Sequence, residues 1–193
     1  MFSFLRKDVQ LKIYYLYMMA DGQCTQGEND KFMSICESMG TEETARKEII
    51  SFCQEVVHST DSDNSSKVIH EITKLLDDQG SSFFLFGSIN RDKKTQAKVI
   101  WTLINLGYSD DRYSDPEQKV IAFLADYWKM DNAVLSDMTD TAETILALTK
   151  QKEWIKTTNK PYDMISNFIS EIDENINQLF QNIEILISEA EII

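Results

Sequence analysis

An echo at a shift of 89 positions constrains this chain more than any other feature. Asp21-Gly22-Gln23-Cys24-Thr25-Gln26-Gly27-Glu28 falls on Asp110-Asp111-Arg112-Tyr113-Ser114-Asp115-Pro116-Glu117. The apolar pattern downstream keeps the same offset, with Phe32, Ile35 and Met39 falling on Ile121, Leu124 and Trp128. Each copy reads as an apolar helix, a short acidic bend and an amphipathic helix. Two copies are too few for a solenoid, which needs about three repeats. The expectation is therefore two pseudo-symmetric helical halves packed face to face in one bundle.

The spacing of apolar residues sets the class. Leu5, Val9, Ile13, Leu16 and Ala20 recur at three and four, as do Phe32, Ile35, Cys36 and Met39, while the alternation that marks strands is nearly absent. Breakers divide the chain into eight helices over 3–20, 25–39, 41–58, 64–79, 91–108, 115–129, 133–156 and 161–191, an all-α fold. The reading places one domain over 1–158, with halves at about 1–80 and 90–156, followed by an amphipathic C-terminal helix over 159–193. Ser59 to Ser66 is polar and reads as a surface loop. Phe83 to Phe86, four large apolar residues bounded by small ones, reads as a plug between the halves.

Thr25-x-x-Glu28 and Ser114-x-x-Glu117 both have the form of a capping box. In each, the hydroxyl accepts from the backbone N–H three residues on and the glutamate returns to the cap's own N–H. Gly22 stands where the preceding helix ends and where a left-handed residue closes it; Asp111 takes its place in the second copy.

Composition narrows the function. With 32 acidic against 19 basic residues the formal charge is −13, which repels nucleic-acid phosphates and anionic lipid heads. No uncharged run approaches the ~20 residues of a membrane-spanning helix. Arg6, Lys7 and Asp8 interrupt the place of a signal peptide's apolar stretch, so a cytoplasmic location is expected. Cys24, Cys36 and Cys53 follow neither a zinc nor a disulfide spacing and read as reduced thiols.

Catalytic equipment is thin. His70-Glu71 lacks the second histidine of a zinc-protease helix, and the six glycines form neither a phosphate loop nor a dinucleotide fingerprint. Cys53 and His58 are five apart, wrong for mutual contact on one helix. The stretch from Asp61 to Ser66 is not a calcium loop either, since Ser66 replaces the glycine and Ile72 the closing glutamate.

Ala20-Asp21-Gly22, with six residues between the aspartate and Glu28 and an apolar helix on either side, resembles the signature of the tellurite-resistance TerB-like family. The second copy is similar but lacks the glycine. The resemblance spans roughly residues 5 to 150. It implies a non-enzymatic, all-helical cytoplasmic binding or scaffolding module, linked to tellurite and other chemical stress and peripherally associated with membranes through its partners. It also implies a metal site at Asp21, Glu28, Asp110 and Glu117, which would take a divalent cation such as Ca2+ as the one cofactor. Hard carboxylate oxygens suit that ion, but Glu28 and Glu117 lie in first helical turns, whose dipole favours a carboxylate and repels a cation. Capping and cation sensing thus stand as alternative readings of the same residues.

The last helix carries the strongest periodic signal, a heptad seam that includes Ile169, Ile172, Ile176, Leu179, Ile183 and Leu186. It either folds back on the bundle or binds a protein partner, a second copy included. After Lys160 the chain has seven acidic residues and no basic one, so a partner at this face would be basic.

Overall fold

The computed structural model describes residues 5–57, 64–83, 92–110, 113–158 and 161–189, without the side chains of residues 80–83, 110 and 162. Among them every regular element is helical: α1 (Lys7–Met18), α2 (Gln26–Ser38), α3 (Glu43–Val56), α4 (Ser65–Phe83), α5 (Lys93–Gly107), a 3-10 turn (Tyr108–Asp110), α6 (Asp115–Tyr127), α7 (Asn132–Lys156) and α8 (Tyr162–Glu189). The all-α class holds. Most of the polar loop over 59–66, the apolar segment beyond Phe83, Asp111 and His58 lie outside the described residues.

The chain divides into two compact units, Met1–Met130 and Asp131–Ile193. In the first, α1 is the central element and packs against α2, α3, α4, α5 and α6. That position follows from its sequence, since nearly every residue from Val9 to Ala20 is apolar or aromatic and buried; a helix apolar on all sides has nowhere to go but the interior. Its repeat equivalent α5 buries Ala97, Val99, Ile100, Leu103, Ile104 and Leu106 in the same way. The more polar α2, α3 and α6 present one buried stripe each, carried by Phe32 and Cys36, by Ile49 and Cys53, and by Val120, Ile121 and Leu124.

The repeat is legible in the backbone. Adding 89 to the bounds of α2 gives those of α6, and the start of α3 maps onto that of α7. Both α2 and α6 end in the same motif. Thr41 N–H donates to Cys36 O at 2.9 Å and Met130 N–H to Ala125 O at 2.8 Å, and the residues before them, Gly40 (φ 61°) and Lys129 (φ 53°), are left-handed. A lysine caps each motif: Lys7 Nζ donates to Gly40 O at 2.9 Å, and Lys93 Nζ to the carbonyls of Trp128 and Lys129 at 3.1 Å.

The second unit is the pair α7 and α8, packed along each other and joined by Lys152 Nζ on Asp173 Oδ1 at 2.5 Å. The division at Met130/Asp131 differs from the sequence boundary at 158/159. The turn at Pro161 is the louder local signal, but α7 joins the helix after it rather than the one before.

Candidate functional site

The two bends are built by one local device. Thr25 and Ser114 stand in extended backbone as N-caps of α2 and α6. Glu28 N–H donates to Thr25 Oγ1 at 3.2 Å, while Glu28 Oε2 accepts from Thr25 N–H at 2.8 Å and from the Thr25 hydroxyl at 2.9 Å. In the second copy Glu117 N–H approaches Ser114 Oγ at 3.5 Å, and Glu117 Oε2 accepts from Ser114 N–H at 2.8 Å and the Ser114 hydroxyl at 2.7 Å. Both capping boxes expected from the sequence are therefore formed. Before the first, Gly22 adopts φ 81° and Asp21 Oδ1 accepts from Gln23 N–H at 2.8 Å.

The bends also meet each other. The start of α2 packs on the Tyr108–Asp110 turn, so closely that a Cβ on Gly27 would lie 3.1 Å from Ser109 O. Lys31 of α2 reaches across to Asn105 O of α5 at 2.5 Å, and burial lowers its pKa. Glu28 is 4% exposed and Glu117 3%. Burial pushes Glu117 up to about 7 against the hydrogen bonds from Ser114, and the charges of Glu28 and Asp21 add to the rise. Two glutamates, one from each half, thus lie within electrostatic reach of one another inside the protein.

Tyr17, fully buried on α1, completes the junction. Burial raises its phenol well above the ordinary value, and the charge of Glu117 is the next cause, followed by Tyr113 and Glu28. Its hydroxyl has no partner at full hydrogen-bond geometry; the contact with Glu117 is marginal and acts chiefly through charge. Gly107 makes room for the arrangement. A Cβ there would collide with the Tyr17 hydroxyl, come within 2.9 Å of the Tyr113 ring and lie 3.3 Å from Glu117 Oε1. Neither Tyr17 nor Gly107 stood out in the sequence, although a lone glycine inside an apolar helical run is the signal that marks such a close approach.

Of the four residues the resemblance assigned to a metal, Asp21, Glu28 and Glu117 are coupled through charge, and the Asp110 side chain lies outside the described residues. Among those residues no group of three or more histidine, cysteine or carboxylate side chains has the geometry to hold a metal ion. Glu28 and Glu117 each spend one oxygen on a helix cap.

The thiols are equally quiet. Partial burial, then Glu28 and Asp21, push Cys24 up to about 11; burial pushes Cys53 up to about 12 and raises Cys36. All three stay protonated near neutral pH, whereas a nucleophilic cysteine needs the thiolate.

The residues assigned to a partner lie on α8. Ile172 and Ile183 are 6% and 3% exposed, and Ile169, Ile176, Leu179 and Leu186 are half-buried. The helix that α8 packs along in its own unit is α7.

This junction of duplicated helical bends is where a comparison with known families bears. The family model described as tellurite resistance protein TerB matches residues 13–140. The chain belongs to the TerB family. The match takes in the second half of α1, α2 through α6, both capping boxes and the first third of α7. It stops short of α8. No curated protein and no solved structure matches the chain. No helix among the described residues is long and apolar enough to cross a membrane.

Proposed function

We propose that this TerB-family chain is a non-enzymatic binding module that works through protein partners in the cytoplasm, in the response to tellurite or related chemical stress. One observation carries the reading. Among the described residues, the large apolar side chains left exposed all belong to the second unit: Trp154 at 67%, Met164 at 62%, Phe168 at 58%, Ile185 at 55% and Phe180 at 39%. Exposed aromatic and aliphatic anchors, one on α7 and four on α8, are what an interaction surface requires. The protonated thiols and the cap-engaged glutamates support the non-catalytic part. A photo-crosslinking residue in place of Phe168, in the full chain expressed in tellurite-challenged bacteria, should give a discrete heavier product. The same label at exposed Lys74 of α4 should not. Monomer alone at both positions, or turnover of tellurite by the purified chain, would overturn the reading.

A second reading, a divalent-cation sensor at Asp21, Glu28, Asp110 and Glu117, is favoured by the repulsion among the bend carboxylates, which a cation would relieve. Calorimetric titration with Ca2+ should then give heat that Asp21→Asn abolishes, and absence of heat eliminates it.

A further inference from the structure

The α7–α8 pair is unusual in its charge. From Asp131 to Thr149 it carries Asp131, Asp137, Asp140 and Glu143 and no basic residue; from Pro161 to Glu189 it carries six more acids and again no basic residue. The α7 lysines stand at the other end of that helix, where Lys152 is paired with Asp173 and Lys156 with Glu153. Into the lysine-free stretch opens a groove of about 330 Å3. Its α8 wall is aliphatic but for Asn182, with Leu179, Ile183 and Leu186; its α7 wall is acidic and hydroxylated, with Asp137, Asp140 and Thr144. Asp137 and Asp140 are exposed and meet no cation among the described residues.

An aliphatic wall facing carboxylates selects its occupant by chemistry. A lysine or arginine lays its methylene stem on apolar surface while its head stays with water and counter-charge, which this groove offers within one side chain's length. A second copy of α8 would bring carboxylates against carboxylates, and an anionic membrane would be repelled in the same way. We propose that the groove between α7 and α8 docks a cationic amphipathic helix of a partner protein. The aliphatic face of that helix lies on Leu179, Ile183 and Leu186, and its lysine or arginine heads lie at Asp137 and Asp140. This deepens the binding-module reading and rests on it.

The probe is a fluorescein-labelled 18-residue helix with one leucine face and one lysine face. It is titrated into the full chain beside two controls, the same helix with glutamate for lysine and with glutamine for leucine. The leucine–lysine helix should bind and both controls should not. Leu186→Ser should weaken binding about tenfold, as the loss of a buried interface anchor does. Asp137→Asn with Asp140→Asn, at exposed positions that leave the fold intact, should weaken it several-fold and flatten its salt dependence. Amide shifts on binding should cluster at Leu179, Asn182 and Leu186. The proposal fails if the aspartate variant binds as wild type, or if the glutamate helix binds equally. It fails too if light scattering shows a dimer that Leu186→Ser dissolves, which would make the occupant a second copy. If these arms fail while Phe168 still crosslinks a partner, the groove assignment falls and the binding-module reading stands.

Discussion

Replacing Glu117 by glutamine tests whether the junction of the two bends is a buried carboxylate held against its own charge. Near neutral pH four effects compete at this side chain. The helix start and the Ser114 donors favour the carboxylate; burial and the neighbouring charges of Glu28 and Asp21 favour the acid, and they prevail, since the group titrates at about 7 rather than 4.5. Between those values the folded chain holds a proton that the unfolded chain has released, so native stability falls as pH rises. This contribution is complete below 4.5, declines through the window and is gone above 7. A displacement of that size corresponds to about 3 kcal/mol in all; at 3% exposure solvent screening reduces it little. Glutamine keeps an acceptor for the Ser114 N–H but has nothing to ionise. Urea unfolding followed by circular dichroism at pH 5, 6, 7 and 8 should find wild type and Glu117→Gln similar at pH 5. The variant should gain on wild type with each step upward. A wild-type-minus-variant difference that stays constant across the four pH values refutes the argument, because it would mean that Glu117 is ionised throughout and the junction hydrated.

The collision geometry at Gly107 gives a coupled pair. Gly107→Ala should cost about 1–3 kcal/mol through overpacking, and Tyr17→Phe, which removes the hydroxyl that the new methyl meets, should recover part of it in a double-mutant cycle read by urea denaturation. Equal costs in both backgrounds would separate the two residues. At the left-handed ends of α2 and α6, Gly40→Ala should destabilise by about 1 kcal/mol, since its methyl meets nothing and only the backbone resists. Lys129→Gly should stabilise by a similar amount, about 1 kcal/mol, read as opposite shifts in thermal midpoint. Thr25→Ala, which removes a cap hydroxyl bonded at both 3.2 and 2.9 Å, should cost about 1 kcal/mol in the same measurement without changing partner binding.

Helix type and helix starts were legible because their causes are local. The two capping boxes place the first residues of α2 and α6 at Gln26 and Asp115, each within a residue of where the sequence puts them. The 3.6-residue period marks the amphipathic helices. What periodicity does not carry is which helices face each other. In α1 and α5 the apolar residues run round the whole helix, so their pattern says only that they are interior and leaves the partner unnamed. The electrostatic meeting of Glu28 with Glu117 depends on the two halves being brought together, and no spacing in a single bend reports that. The unit boundary was hidden for a related reason: the break before Pro161 is written in the sequence, whereas the pairing of α7 with α8 arises only once both helices exist.

The repeat shows what a duplicated helical unit keeps when its residues diverge. Backbone geometry persists at Gly40 and Lys129 although one residue suits the left-handed region and the other is strained there. Gly27 and Pro116 occupy equivalent positions, yet each answers a different demand: Gly27 lies where the 3-10 turn of the other half comes within contact distance, and Pro116 supplies a fixed φ to the first helical turn. The hydroxyl cap changes from threonine to serine without changing its bonds. Two residues are the same in both copies, Asp21 with Asp110 and Glu28 with Glu117; the glutamate caps its own helix start in each, and the charge of Glu28 also reaches Glu117 in the opposing bend. A cap alone would tolerate glutamine, which satisfies the same donors. The pH dependence carried by Glu117 therefore isolates what its ionisable group adds at the junction beyond the cap.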